Sequence, residues 1–313
     1  MNEGYRLDSP SGPTSTFEEL RMQRISLGAE ALADLPKLTN AALQSARKNP
    51  KVGCLIDHVY PGRPLIMTFG YVDWLEPPNF DFFGRIKKFE ALHHTCFNHL
   101  FLRDSLNAWY HRGIPGLGSH VDEVAGTLRG LIRSMGVSRV ITIGQSMGGY
   151  AAIMFGLLLG ADQVVAFGPL SHLNPDEALR YGDRRFLNAM QDLRANPPKS
   201  VYEDLSHMLK TFPFHGDLHL FYGTHPGHDD GVSGNFDALH AFRLAHYKRT
   251  FLYPYPAAGH PIIQWLIDQR QIDEVLARML LLQDLDLSIP THLPSSPRAM
   301  TSWENRSWPP AKS

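Results

Sequence analysis

The chain has little of several things that would narrow its function at once. Its 313 residues include only two cysteines, Cys54 and Cys96. Neither lies in a C-x-x-C or another metal-ligand spacing, so reduced, buried thiols are expected and nothing supports a disulfide between them. No apolar run approaches the roughly 18 residues that span a bilayer. The opening Met1-Asn2-Glu3-Gly4-Tyr5-Arg6 holds no basic stretch followed by an apolar one. A cytoplasmic protein without a membrane span is the expectation. A formal net charge of -1 gives no field for gathering nucleic acid, so no nucleic-acid partner is expected. There is no internal repeat.

What is present suits one large α/β domain. The hydrophobic content of 43% is enough for a full core at this length. Short apolar runs at 52–56, 65–69, 97–102, 140–143, 163–167, 218–222 and 250–253 read as strands. Helical patterns fall between most of them, such as Val121, Val124, Leu128, Leu131 and Ile132, or Ala238, Ala241, Phe242 and Ala245. That alternation predicts a mostly parallel, doubly wound sheet. Residues 1–16, rich in Ser, Pro, Gly and Thr, read as a mobile arm, 17–287 as the domain, and 288–313, with five prolines from Pro290 to Pro310, as a tail. The segment 171–211 breaks the alternation with polar helical patterns around 176–193 and 201–209, separated by Asn196-Pro197-Pro198. It reads as a small helical cap inserted between strands; a longer crossover packed at the side is the alternative.

The chemistry is concentrated at Gly144-Gln145-Ser146-Met147-Gly148-Gly149. An apolar strand pattern enters this stretch and an alanine-rich helical pattern leaves it, the context in which G-x-S-x-G marks a nucleophile elbow. The sharp turn demands small residues two positions either side of Ser146, and Gly144 and Gly148 supply them. The following helix points its first N–H groups back at the serine, where a negative oxygen would be stabilised. Met147 offers one oxyanion donor. Gly70 or Tyr71, after the 65–69 run, offers the second.

A serine hydroxyl needs a base, and the base needs a carboxylate. Of the sixteen histidines, His260 is the one in position to serve as that base. It follows the last strand pattern and a loop, Pro254-Tyr255-Pro256-Ala257-Ala258-Gly259, and precedes a helix. Three aspartates follow the 218–222 strand. Distance from the strand end favours Asp229 or Asp230, and Asp237 sits where it could instead cap a helix. Trp109 and Tyr110, in the loop after 97–102, are candidates to line a substrate pocket or simply to fasten that loop.

Gly-Gln-Ser-Met-Gly-Gly-Tyr-Ala-Ala at 144–152, with Gly259-His260, resembles the α/β-hydrolase superfamily of serine esterases, lipases, thioesterases and acyltransferases, over about residues 50 to 285. The elbow combined with Asp-x-x-His-Ala at 237–241 is similar to bacterial hydrolase-like proteins associated with surface-glycan acylation. That resemblance implies Asp237 as the acid, ahead of Asp230 and Asp229, although the stretch 224–235 departs from the pattern and keeps Asp230 open. It implies a small-molecule or glycan ester or thioester as substrate, with hydrolysis, acyl transfer, or a silent binding module on the same scaffold as the outcomes to separate. No cofactor is implied. A metal reading of His225-Pro226-Gly227-His228-Asp229-Asp230 lacks a helix to hold both rings on one face and is set aside. The glycines of 113–118 lack the spacing of a phosphate loop.

Overall fold

In chain order a computed structural model holds α1 (Asn40–Arg47), β1 (Cys54–Ile56), β2 (Leu65–Phe69), α2 (Phe83–His93), β3 (Asn98–Leu102), α3 (Val121–Met135), β4 (Val140–Gln145), α4 (Met147–Leu159) and β5 (Gln163–Phe167). Then come α5 (Pro175–Tyr181), α6 (Leu187–Ala195), a 3₁₀ turn (Ser200–Tyr202), α7 (Leu205–Thr211), β6 (Asp217–Gly223), α8 (Asp237–Leu244), β7 (Thr250–Tyr255), α9 (Ile262–Asp268) and α10 (Ile272–Leu281). The structure describes residues 38–57, 59–73, 78–195, 199–225 and 236–281. The expected arm at 1–16 and tail at 288–313 lie outside them.

The strands form one sheet in the order β1-β3-β2-β4-β5-β6-β7. β1 runs antiparallel to β3, and every other neighbouring pair is parallel. The sheet is doubly wound because its strands are apolar on both faces. Leu65, Met67, Phe69, Val164, Ala166, Leu220 and Tyr222 pack with α3, α4 and α8. Ile66, Ile141, Ile143, Val165, Phe167 and Phe221 pack with α2, α9 and α10 on the other side. This is the period-2 alternation of a sheet covered twice. Each Val, Leu, Ile, Phe or Met side chain among them contributes about 1.5–3 kcal/mol by leaving water. α4 is apolar all round and buried over most of its length, as a helix enclosed on every side must be.

The first strand departs from expectation. β1 begins at Cys54 rather than 52, because Gly53 donates its N–H to the Pro115 carbonyl and accepts from the Arg103 N–H. Its antiparallel pairing is not visible in the hydrophobic pattern. Cys54 is buried as expected, whereas Cys96 is only half-buried; both are free thiols.

Between β5 and β6 lie α5, α6, the 3₁₀ turn and α7. The expected helix over 176–193 is two helices, because Gly182 turns left-handed at φ 80 and closes α5. Tyr150 on α4 donates its hydroxyl to the Tyr202 carbonyl, tying this segment to the helix behind the elbow. Among the described residues no helix is long and apolar enough to cross a membrane.

Candidate active site

The parallel strands end together. Phe69 on β2 pairs with Gly144 on β4, Gln145 with Phe167 on β5, and Gly223 on β6 with Tyr255 on β7. The candidate residues leave the sheet at this carboxyl edge, where open parallel sheets form their crevice.

Ser146 takes φ 54 and ψ -118, a backbone that L-residues rarely adopt, and it caps α4 without spending its hydroxyl on the helix. The turn closes only with glycine on both sides. A Cβ on Gly144 would meet the Gly148 carbonyl oxygen at 2.1 Å, and a Cβ on Gly148 would meet the Phe69 carbonyl oxygen at the same 2.1 Å. The strained serine is thus held by close approaches of backbone from β2 and α4.

His260 Nε2 lies 2.9 Å from Ser146 Oγ. On the other side of the ring, Nδ1 lies 2.9 and 3.0 Å from the two carboxylate oxygens of Asp237. The loop that carries the histidine is fastened to the end of β6 by the Thr224 N–H on the Tyr255 carbonyl and the His225 N–H on the Ala258 carbonyl. Gln145, next to the serine, accepts the Ile263 N–H at 3.0 Å, so elbow and histidine loop are tied directly. Asp237 is the first residue of α8; the cap is Phe236, and no side chain caps this helix. The Asp237 side chain is wholly buried. Burial pushes its carboxyl up, but the charge and hydrogen bonds of His260 and Arg185 outweigh that and hold it below the ordinary carboxylate range. Gly168, at φ 51, lets backbone pass beside the pair, since a Cβ there would sit 3.0 Å from Asp237 Oδ2. Asp229 and Asp230 lie outside the described residues, as does most of the His225–Asp230 stretch. Among the described residues no three His, Cys, Asp or Glu side chains converge as a metal site would require.

The oxyanion candidates separate. Met147 opens α4, so its N–H belongs to the first turn, which has no intrahelical acceptor. Gly70 is corrected, because its N–H donates to the Leu102 carbonyl at 2.9 Å. Tyr71, one residue further on, is the remaining candidate in that loop. Tyr110 does not line a pocket and takes the other role, fastening its loop: it is fully buried and its hydroxyl donates to the Gly70 carbonyl at 3.0 Å, with the Leu102 carbonyl 3.3 Å away. It braces the Gly70 turn from beneath. Trp109 is also buried, edge-on to Phe186 at 5.2 Å, and Phe186 in turn lies 5.8 Å from the His260 ring.

Two residues near the site carry no signal in the sequence. Phe186 stands with its ring tilted 5.8 Å from the imidazole, and Arg185 donates to Asp237 Oδ1 at 2.6 Å. Both belong to the segment between β5 and β6, in a polar stretch with no local motif to mark them.

A hydroxyl, an imidazole and a buried carboxylate in series can move a proton off the hydroxyl as it attacks an electrophilic carbon. No protein-family model and no curated protein matches the sequence. Solved structures do. Esterase 2 of Thermogutta terrifontis, phosphonylated by sarin, is 15% identical, with 78% of this chain and 95% of that chain covered at a TM-score of 0.52. The fluorophosphonate-binding serine hydrolase F of Staphylococcus aureus is 17% identical over 71% of this chain and 85% of that chain, at 0.48. The capsule O-acetyltransferase of Neisseria meningitidis serogroup A is 14% identical over 71% and 91%, at 0.47. Such identities speak to fold and not to reaction. With its sheet order, its helices on both faces and its likeness to the Thermogutta esterase, the chain has the α/β-hydrolase fold.

Proposed function

We propose that this chain is a serine hydrolase that cleaves a carboxylic ester or thioester through an acyl-enzyme on Ser146. The observation that carries the reading is the unbroken series Ser146 Oγ to His260 Nε2 at 2.9 Å and His260 Nδ1 to Asp237 at 2.9 Å. In the first half-reaction Ser146 Oγ attacks the acyl carbon while Nε2 takes its proton. Asp237 keeps the proton of Nδ1 on its side of the ring and stabilises the imidazolium. The oxyanion is met by the Met147 N–H and, after the correction at Gly70, by the Tyr71 N–H. Collapse expels the alcohol or thiol, which leaves with the proton from Nε2. Water, deprotonated by the same nitrogen, then releases the acid. This route uses no metal or organic cofactor. Residues 171–211 act as a cap, with Phe186 shielding the imidazole from solvent.

Fluorophosphonate labelling tests the reading. The wild-type protein should be labelled on Ser146 and should turn over a short p-nitrophenyl ester; Ser146→Ala, still folded, should lose both, with a fall in kcat of about 10⁶. Labelling that survives in Ser146→Ala would overturn the assignment. An added sugar alcohol that diverts the acyl group from water would show the second step to be transfer to an alcohol, with the same first step.

A further inference from the structure

Arg185 is a charged residue in a polar stretch, Gly182-Asp183-Arg184-Arg185-Phe186, yet only 9% of its side chain is exposed. One end of the guanidinium faces the triad: Nη1 donates to Asp237 Oδ1 at 2.6 Å and comes within 3.3 Å of His260 Nδ1. When Nδ1 carries the proton it shares with Asp237, that second approach is no hydrogen bond. It sets a positive group against the ring that must become positive during attack.

The other end is neutralised. Nε donates to Asp183 Oδ1 at 3.0 Å and Nη2 to Oδ2 at 2.8 Å, the paired geometry in which a guanidinium grips a carboxylate. Asp183 is itself fixed by His240, whose Nε2 lies 3.2 Å from Oδ2. His240 Nδ1 accepts the Ser171 N–H at 3.0 Å, which assigns the ring proton to Nε2 and leaves His240 a neutral donor to Asp183. Burial favours that neutral form. Among the described residues, the other charged and titratable groups packed around this assembly are His172, whose ring is 5.2 Å from His240, and Arg243, which bonds Ser171 Oγ, Asp204 and Glu177. The Phe236 ring lies 5.6 Å from the guanidinium carbon.

The arrangement answers two problems. Both oxygens of the Asp237 carboxylate lie about equally from one Nδ1, and the strong donor on Oδ1 restrains its rotation. A bare cation beside the imidazole would oppose proton uptake, and Asp183 cancels it. We propose that Arg185 is a positioning residue: carried by the segment between β5 and β6, it locks the Asp237 carboxylate against His260 while Asp183 offsets its charge, so that the seating of this segment sets how readily the base accepts a proton. The proposal rests on the serine-hydrolase reading above. It also gives the His240 of Asp-x-x-His-Ala a role, since His240 holds the residue that holds Arg185.

The test is the pH dependence of fluorophosphonate labelling and p-nitrophenyl ester turnover in wild type, Arg185→Met and Asp183→Asn. Arg185→Met removes a cation beside the ring and leaves Asp183, so protonation becomes easier and the acid-side midpoint should rise by on the order of one pH unit. Asp183→Asn leaves the cation unbalanced, and its midpoint should fall. In Arg185→Met the plateau kcat should drop about ten- to a hundredfold, as when a group that orients a working histidine is lost, with KM little changed. Midpoints that stay put, or that move in the same direction in both variants, would overturn the proposal, because a purely structural role predicts no opposed shift. Thermal melts check folding. If Arg185→Met does not fold, Arg185→Lys keeps the charge without the fork and should lower the plateau while leaving the midpoint in place; an unchanged plateau would overturn the proposal. Failure of the wild type to label at any pH defeats the serine reading itself, whereas a labelled wild type with unmoved variants defeats only the role of Arg185.

Discussion

The elbow and the segment between β5 and β6 both meet His260 but are held by different forces. The elbow is a backbone object: Gly144 and Gly148 are pressed to within 2.1 Å of neighbouring carbonyl oxygens wherever a Cβ would stand, and Ser146 is strained by the turn they permit. The segment between β5 and β6 is a side-chain object. It reaches the site through Arg185, Asp183 and Phe186 and is tied down by Tyr150 on the Tyr202 carbonyl. Backbone clearance tolerates almost no substitution, whereas a side-chain network can be dismantled one bond at a time. The elbow should therefore fail abruptly and the segment by degrees.

The sharpest blow to both at once is Asp237→Asn, which alters the carboxylate that Arg185 grips and that backs the histidine beside the elbow's serine. An amide there favours the wrong ring tautomer, and kcat should fall about 10⁴-fold with the melting temperature nearly kept. Retained activity would move the acid to another carboxylate. Next comes Gly148→Ala, a test of the elbow alone: its methyl group collides with the Phe69 carbonyl and displaces the Met147 N–H. Activity should drop roughly 10²- to 10³-fold, as for a lost oxyanion donor, and stability by about 1–3 kcal/mol. An active, stable Gly148→Ala would show that the turn can relax.

Acid tests the segment. Burial raises the carboxyl of Asp183, but His240 and Arg185 outweigh it and hold it well below the ordinary range, and Asp237 is depressed for the same kind of reason. A depressed folded-state value means stability that is present above the ordinary carboxylate range and is lost as pH falls through it toward that value. Thermal midpoints should accordingly decline below about pH 4, and less steeply in Asp183→Asn. Parallel curves for the two proteins would remove Asp183 from the account. The smallest effect is expected from Tyr150→Phe, which deletes the tether to Tyr202 and should cost about 1 kcal/mol in chemical denaturation.

The same contrast explains what is legible in the amino-acid sequence. Strands such as Leu65–Phe69 and Gln163–Phe167 appear with the boundaries expected, because a buried parallel strand is an unbroken apolar run. The elbow is legible because steric clearance is local and leaves glycines at fixed spacing. His260 follows from chain order. Asp237 is harder: strand-end distance alone points to Asp229 or Asp230, and only the likeness of its surrounding motif points to it. Arg185 leaves no trace, since its partners Asp237 and His260 lie 52 and 75 positions away. Nothing in the pattern of residues 171–211 distinguishes a buried guanidinium from a solvated one. Gly70 fails for a different reason: which N–H of that turn the neighbouring strand has already claimed depends on the register with β3.

The sheet order has a consequence of another kind. Among the described residues β7 is an outer strand, whose row of N–H and C=O groups could recruit a second polypeptide. There Pro254 deprives the row of a donor beside Tyr253 and Tyr255. A chain that unfolded part of its periphery and kept its sheet would thus offer a poor template at this margin for the cross-strand stacking that seeds insoluble aggregates.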